Sequence, residues 1–537
     1  MKPPRLAALL LGLAPAAAPG QGSVLYTLEG GHRWDTLGAA LAPVGDLDGD
    51  GAPDFVVGAP QEFAAPGGDP PGYVHLVSGR SGKVIHTWQG ERAGEGFGTS
   101  VARLEDVDGD GTQDIAVVSE LMTITVISGR TKDKITRFNV RIDATVNSME
   151  IAICPDLDGD GIQDLVVGVP SHDVGADLST GRVSAHSIKE QRLLWNRLGT
   201  EEDGFFGSQV ATLGDVDGDG LGDVAASHPR GGHNVFTREQ KLGEVRILSG
   251  KDGSLLRTLG NEPGLYYFGE EIAVVGDLDG DLHPELAVSA GGYGERGLQN
   301  QGWVGVYSTG KGFRVLHRFT GVDPYIFRYN FQGDALGYRM SGAGDADGDG
   351  VPDLLLAAER WSSFWEYPGR IHLHSGRTGK LLASYELIQG TGSRELLGSL
   401  SPLGDVDGDG RSEFLIGAWD YNPLSRDPNK GAVFALRFDP ALPVFLRGDA
   451  NADGRVDLSD GVSLIQHVFL GGPDGGCALA LDIDGSGKLD FQDFVSLASY
   501  LFAEELAPAP PFPACGRFGG PRESPLGCRE SACPREG

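Results

Sequence analysis

The chain is poor in several features that would point to familiar machinery. Only five of its 537 residues are cysteine and only four are methionine. Beyond the N-terminus no stretch approaches the 18 apolar residues a membrane-crossing helix needs, which excludes helical spans from that part. Basic residues are outnumbered 75 to 44, giving a formal charge of −31. A surface of that sign repels phosphate backbones, so nucleic acid is not an expected partner. HExxH, GxSxG and P-loop words and paired Cys/His constellations are missing. Apolar spacing of helical period is absent before residue 455. Glycine, by contrast, is abundant at 84 residues, and without a Gly-X-Y period it signals turn-rich β structure rather than collagen.

An acidic word dominates what is present. Its first copy, GDLDGDGAPD from Gly45, places carboxylates at positions 1, 3, 5 and 9: Asp46, Asp48, Asp50 and Asp54. The second copy has Asp106, Asp108, Asp110 and Asp114, and the third Asp156, Asp158, Asp160 and Asp164. The fourth has Asp215, Asp217, Asp219 and Asp223; the fifth Asp277, Asp279, Asp281 and Glu285. The sixth has Asp345, Asp347, Asp349 and Asp353, and the seventh Asp405, Asp407, Asp409 and Glu413. The starts are 50 to 68 residues apart, a period that signals a propeller or an array.

Each unit carries more than the acidic word. A strand opening with Phe-Gly or Leu-Gly precedes it, as in FGTSV at Phe97 and FGSQV at Phe206; the third unit departs with VNSME. An apolar strand follows, such as FVVGAP, and then a third, such as GYVHLVS at Gly72. A short turn of SGRSGK type leads into a fourth, such as KVIHTWQG at Lys83. Four short antiparallel strands make one propeller blade. The seventh unit stops after its third strand, GAVFALRF at Gly431, while VLYTLEGG at Val24 reads as a fourth strand with no preceding three. Docking one on the other closes the ring and leaves no open edge. The expected fold is all-β, a seven-bladed propeller over residues 21–440.

Clustered carboxylates repel one another unless a cation sits among them. Calcium takes several oxygen ligands, which positions 1, 3, 5 and 9 supply together with the carbonyl of position 7. Position 6 is glycine in six copies, permitting the sharp turn that folds the acids inward; Leu282 takes its place in the fifth. These units resemble FG-GAP repeats, the blades of the integrin α-subunit propeller. The resemblance implies calcium in the same hairpin and a role in extracellular adhesion or ligand binding.

Turns alternate between the two faces of such a disc, so the acidic loops and the SGRSGK turns share one. The other face receives the long, variable loops that follow the second and fourth strands. Trp361, Trp365, Tyr367, Trp419 and Tyr421 gather on two of them, and DPYIFRYNF at Asp323 adds further aromatics. Aromatics beside Asp, Asn and Arg suit a sugar ring or a protein partner. His228 and His233 also fall in one such loop and read as surface histidines without a special role.

After DPALPVF the grammar changes. Two calcium-type loops are each followed by an amphipathic helix. The first offers Asp449, Asn451, Asp453, Asp457 and Asp460; the second Asp482, Asp484, Ser486, Asp490 and Asp493. Val462, Ile465, Val468 and Phe469 on one helix, with Phe494, Leu497 and Leu501 on the other, are the expected core. The pattern over residues 441–505 resembles a dockerin type I module. That resemblance implies two further calcium ions and a cohesin-like scaffold as partner. Where the family commonly carries a Ser/Thr pair, this chain has Leu458-Ser459 and Phe491-Gln492.

Residues 1–20 combine Lys2 and Arg5, an apolar Leu6–Ala18 core and a small-residue site at Ala18–Gly20, the form of a signal peptide. Secretion or display at the cell surface is therefore expected. Cys477, Cys515, Cys528 and Cys533 cluster towards the C-terminus, where three full pairings are open; Cys154 reads as a buried hydrophobe. Residues 506–537 form a Pro/Cys-rich tail. About half of the 75 acids fall in the nine loops, so full calcium loading moves the charge from −31 to roughly −13. The leading expectation is a secreted calcium-binding protein that binds an extracellular protein or glycan and is not an enzyme. The alternative is a secreted polysaccharide-acting enzyme with its active site on the loop face.

Overall fold

A computed structural model describes residues 22–438 except 33, 62–69, 121, 141–148, 175–177, 230–241, 261–263, 294–300, 322–325, 328–329, 332–334, 359–369, 387–397 and 420–429. Beyond these it describes 444–445, 450, 456, 458–470, 481, 483, 489, 491–503 and 516–517. The chain divides into two compact units, Met1–Phe438 and Asp439–Gly537.

The first unit contains seven four-stranded antiparallel sheets. The first blade runs Ala40–Gly45, Asp54–Ala59, Tyr73–Val77 and Val84–Gln89. The next five repeat this order. The seventh takes Ser399–Gly404, Glu413–Ala418 and Ala432–Phe438 from the end of the unit and its outer strand, Gly22–Glu29, from the beginning. The pairing runs from Gly22 opposite Phe438 to Glu29 opposite Ala432. Each innermost strand packs on that of the next blade, and Ser399–Gly404 packs on Ala40–Gly45, so the circle closes.

Second strands such as Asp54–Ala59, Asp114–Ser119 and Asp164–Val169 are buried along their whole length. They read as unbroken apolar runs because both faces of every blade are covered by neighbours. The core is accordingly divided among seven clusters, one per interface between adjacent blades. One joins Val56, Leu76 and Trp88 of the first blade to Phe97, Ile115 and Val117 of the second. Another joins Phe55 and Val57 of the first to Leu415, Val433 and Ala435 of the seventh.

Two devices hold successive blades together. The Phe-Gly word buries its ring completely at Phe97, Phe206 and Phe268. The backbone there reaches across to the preceding blade: Phe97 N–H donates to the Pro71 carbonyl at 3.0 Å and Leu336 N–H to that of Gln301 at 3.0 Å. At the opposite face, the outer strand of one blade hydrogen-bonds the last turn of the next. Trp88 Nε1 donates to Lys132 O at 2.8 Å, Trp195 Nε1 to Gly250 O at 2.7 Å and Tyr26 Oη to Gly79 O at 2.7 Å. The Trp195 ring lies so close over Gly253, at φ +74°, that an added Cβ would stand 2.6 Å from it.

In the second unit α1 (Leu458–Leu470) and α2 (Phe491–Ala503) pack together. Ala450, Leu464, Leu481, Ile483 and Leu497 form the core, with Phe494 and Leu501 against it. Val462 departs from expectation, being 51% exposed. Gly461 and Leu464, each one residue before an expected core position, are buried instead and Ile465 is half-buried, so the inward stripe is displaced by one residue. The side chains of Val468 and Phe469 lie outside the described residues. None of the described helices is long and apolar enough to cross a membrane.

Candidate metal loops and the opposite face

All seven acidic loops sit between the first and second strands, and each folds around its own first acid. In the first loop Asp46 Oδ1 accepts from Gly49 N–H at 2.7 Å and Asp50 N–H at 3.2 Å, while Oδ2 accepts from Gly51 N–H at 2.8 Å. The same three amides reach Asp106, Asp215, Asp345 and Asp405 in their loops. The Gly51 amide, above all, holds the Asp46 carboxyl below the usual range; Gly111 and Gly220 do so for Asp106 and Asp215. In loop five the amide of Leu282 donates to Asp277 Oδ2 at 2.9 Å, where Gly51 donates to Asp46 in loop one. Leu282 adopts φ +71° with its side chain 91% exposed, so the missing glycine leaves the fold of loop five intact.

The ninth position does different work. Asp54, Asp114, Asp164, Asp223, Glu285, Asp353 and Glu413 are all fully buried at the base of their loops. Asp54 Oδ2 accepts from Leu47 and Asp48 N–H at 2.8 and 3.1 Å, and Oδ1 from Gly79 N–H at 3.2 Å. Gly79 begins the turn between the third and fourth strands, so the acidic loop and that turn do share a face. Gly129, Gly250 and Gly376 bond Asp114, Asp223 and Asp353 in the same way. Burial raises these carboxyls, to about 6 for Asp54 and Asp353 and about 7 for Asp164, Glu285 and Glu413. Neighbouring acids in the loop push the same way.

The residues present fit a hard cation. In loop five, oxygens of Asp277, Asp279, Asp281 and Glu285 lie within 4.8 Å of one another. Asp46, Asp48 and Asp50 converge equally, as do Asp106, Asp108 and Asp114, then Asp156, Asp158 and Asp164, and Asp215, Asp217 and Asp223. Four buried carboxylate oxygens in these loops, Asp158 Oδ1, Asp164 Oδ1, Glu285 Oε1 and Glu413 Oε1, have no hydrogen-bond partner. A buried, unpartnered carboxylate oxygen among other carboxylates is costly unless a cation completes it. Bound there, calcium would supply neutralising charge and tie together the two strands flanking each loop.

Of the loops in the second unit, Asp460 and Asp493 are described, both fully buried in the first turns of α1 and α2. Asp493 Oδ1 accepts from Ile483 N–H at 2.8 Å, joining the second loop to its helix. Asp449, Asn451, Asp453, Asp457, Asp482, Asp484, Ser486 and Asp490 lie outside the described residues.

On the opposite face Trp361, Trp365, Tyr367 and Tyr421 also lie outside the described residues. Trp419 is half-buried and its ring lies against Gly398, where an added Cβ would stand 2.8 Å from Cδ1. It therefore packs on its own blade. Ile326–Phe327 and Asn330–Phe331 pair as a minimal ladder. His228 corrects the reading of it as a surface residue: it is fully buried, with Nδ1 3.2 Å from Glu244 Oε1. Arg246 NH2 closes on the same carboxylate at 2.7 Å and its guanidinium lies 5.0 Å over the Phe206 ring. The histidine ends a strand rather than beginning a loop, which is why it faces inward. His233 lies outside the described residues.

Two further groups were not singled out by sequence. Glu271 and Arg339, on the innermost strands of blades five and six, pair at 3.3 Å. Arg339 also donates to the Gly398 carbonyl of blade seven at 3.0 Å. Burial lifts Glu271 and Glu150, on the third blade, to about 7 against the pull of Arg339. Residues from blades five, six and seven thus meet on the inner side of the ring. The second group is the basic residue beside the acidic loop, carried in most blades by the turn between the third and fourth strands. Its signal, the recurring SGR or SGK word, was visible as a turn but not as a charge partner.

The fold defines a class, the seven-bladed propeller of four-stranded blades. The FG-GAP repeat model matches residues 37–77, 149–186 and 206–248, which fall in blades one, three and four. Among curated proteins the chain is similar to integrin alpha-V of Gallus gallus, at 29% identity over 305 residues, 54% of this chain and 26% of that protein. It is similar to integrin alpha-5 of Xenopus laevis at 28% over 257 residues, 46% of this chain and 19% of that protein. The chain therefore spans about a quarter or less of the length of these relatives. Among solved structures, BBS1N in complex with ARL6DN aligns at a TM-score of 0.46 and 11% identity, over 79% of this chain and 98% of that one.

Proposed function

We propose that the protein is a secreted or cell-surface calcium-binding adhesion module. Its propeller presents one face to an extracellular protein or glycan, and its C-terminal unit docks on a scaffold. Seven calcium ions would occupy the propeller loops and two the C-terminal pair. The observation that carries this reading is the convergence of carboxylates in loops one to five of a closed ring, with unpartnered buried oxygens in loops three, five and seven. The integrin-α-like propeller supports adhesion or ligand binding as its use, and the acid-rich, glycine-turned loops support calcium rather than magnesium. The variable loops following the second and fourth strands are the proposed ligand face, with Trp361, Trp365, Tyr367 and Tyr421 as contacts. Paired calcium-type loops, each leading into a helix, support a dockerin-like module from residue 441 to 505, with a cohesin-like partner.

Arrays of extracellular-matrix proteins and glycans, probed with the full chain in calcium and in EDTA, test the ligand face. Calcium-dependent retention without turnover is expected; cleavage of a bound glycan by the pure protein contradicts the reading. Recombinant cohesin modules, probed the same way, test the docking unit.

A further inference from the structure

A basic side chain stands beside nearly every acidic loop. In blade one Arg80 Nε lies 3.5 Å from Asp50, and in blade four Lys251 Nζ lies 4.0 Å from Asp219. Lys311 Nζ lies 2.6 Å from Asp279 and 3.7 Å from Asp281 in blade five, where Arg314 adds a second contact to Asp279 at 3.1 Å. Arg377 Nε lies 2.8 Å from Asp349 in blade six, and its NH2 donates to the Asp349 carbonyl at 2.7 Å. In blade three the turn reads SIKEQR, and Arg192, at its end, pairs with Asp158 at 2.8 Å.

The seam between the first and last strands of the propeller is the informative case. Blade seven has no turn after its third strand, because its fourth strand comes from the N-terminus. A cation is present there all the same: Arg437, on the third strand itself, lies 2.7 Å from Asp407. The charge is kept where the turn that carries it elsewhere is gone. A merely solvating surface lysine or arginine has no reason to recur beside the same loop of blade after blade, nor to be supplied from another element where the turn is lost.

We infer that these side chains are built-in counter-ions, which hold the acidic loops in their folded form without metal and set how tightly calcium binds. The inference rests on the calcium reading above. A loop with four carboxylates repels itself, and one fixed positive charge offsets part of that repulsion at all times. The same charge opposes an incoming divalent ion, so it weakens binding and narrows the difference between the free and loaded states. Loop five, with Lys311 and Arg314 on one carboxylate, is set to the weakest affinity, and loop four, with Lys251 at 4.0 Å, to a tighter one.

The test uses the full chain and its Lys311→Gln, Arg377→Gln and Lys311→Arg variants, titrated with calcium chloride by calorimetry and melted in EDTA. Lys311→Gln and Arg377→Gln each raise the affinity of one site, by about tenfold at low salt and less at high salt, since exposed charges are screened. Each also lowers the melting temperature in EDTA, whereas Lys311→Arg leaves both unchanged. Unchanged or weakened calcium binding in the glutamine variants, with the wild type still binding calcium, overturns this inference alone. A wild type that binds no calcium overturns the calcium reading and this inference with it.

Discussion

Replacing Gly253 by alanine tests the packing between blades most sharply. Gly253 occupies the left-handed region at φ +74°, and an added Cβ would stand 2.6, 2.9 and 3.1 Å from three atoms of the Trp195 ring. The left-handed backbone costs alanine roughly 1–2 kcal/mol. Overpacking against a 6% exposed indole adds about 1–3 kcal/mol, because the ring is held by its Nε1 hydrogen bond to Gly250 and has nowhere to move. Gly253→Ala should therefore cost about 2–5 kcal/mol. Trp195→Ala on its own costs a comparable ~3–5 kcal/mol by leaving a cavity. The decisive measurement is the double-mutant cycle, by urea unfolding at fixed saturating calcium. With the ring gone, Gly253→Ala should retain only its backbone cost, a coupling of at least about 1 kcal/mol. Equal cost of Gly253→Ala in both backgrounds would refute the claim that the outer-strand ring clamps the next blade's turn.

Deleting residues 22–29 leaves Ala432–Phe438 as an open edge, and size-exclusion chromatography should show aggregates in place of the full chain's peak; an unchanged elution profile would contradict closure by the N-terminal strand. Asp223→Asn keeps the shape but weakens acceptance from the Val216, Asp217 and Gly250 amides, so one calcium should be lost together with about 1–3 kcal/mol of stability, read by calorimetry and urea unfolding. In EDTA the melting temperature should rise as pH falls from 8 to 5. Asp164, Glu285 and Glu413 are lifted to about 7 and Asp54 and Asp353 to about 6, so between their unfolded and folded pKa values the folded chain holds more protons. That contribution is complete below about 4 and fades as pH climbs through 7. Asp46, Asp106 and Asp215, whose pKa values are lowered, act in the opposite sense, but only below the ordinary 3.8. Calcium affinity over the same range should fall with pH, since the buried acids must ionise to bind.

The blades were legible because three signals coincide in six of the seven units: the Phe-Gly or Leu-Gly opening, the acidic loop and the apolar second strand. Even the third unit, with VNSME for the Phe-Gly word, forms its strand at Glu150–Cys154, since the pairing of Ile153 with Leu165 and Cys154 with Asp164 does not depend on that word. Ring closure could be read from an orphan strand at one end and an incomplete blade at the other. The division of labour within a loop could not. Spacing shows four acids, but not that Asp54 and its counterparts are buried acceptors for the neighbouring turn while Asp46 is wrapped by its own loop. The basic turn residues went unread because side chains 30 residues apart in sequence meet only once the third strand returns. His228 was taken for a loop residue because strand ends cannot be placed from apolar pattern alone, and Val462 was read as core because a register error of one residue turns a helix position by about 100°.

Calcium stoichiometry on the purified chain, with its melting temperature before and after chelation, tests the central claim most directly. A site filled at 100 times its dissociation constant stabilises by about 2.7 kcal/mol, so stripping the metal should lower the melting temperature markedly. The account predicts seven ions in the propeller and two in the C-terminal unit, and a melting temperature restored by adding calcium back. No calcium bound on titration and the same melting temperature in EDTA would contradict it.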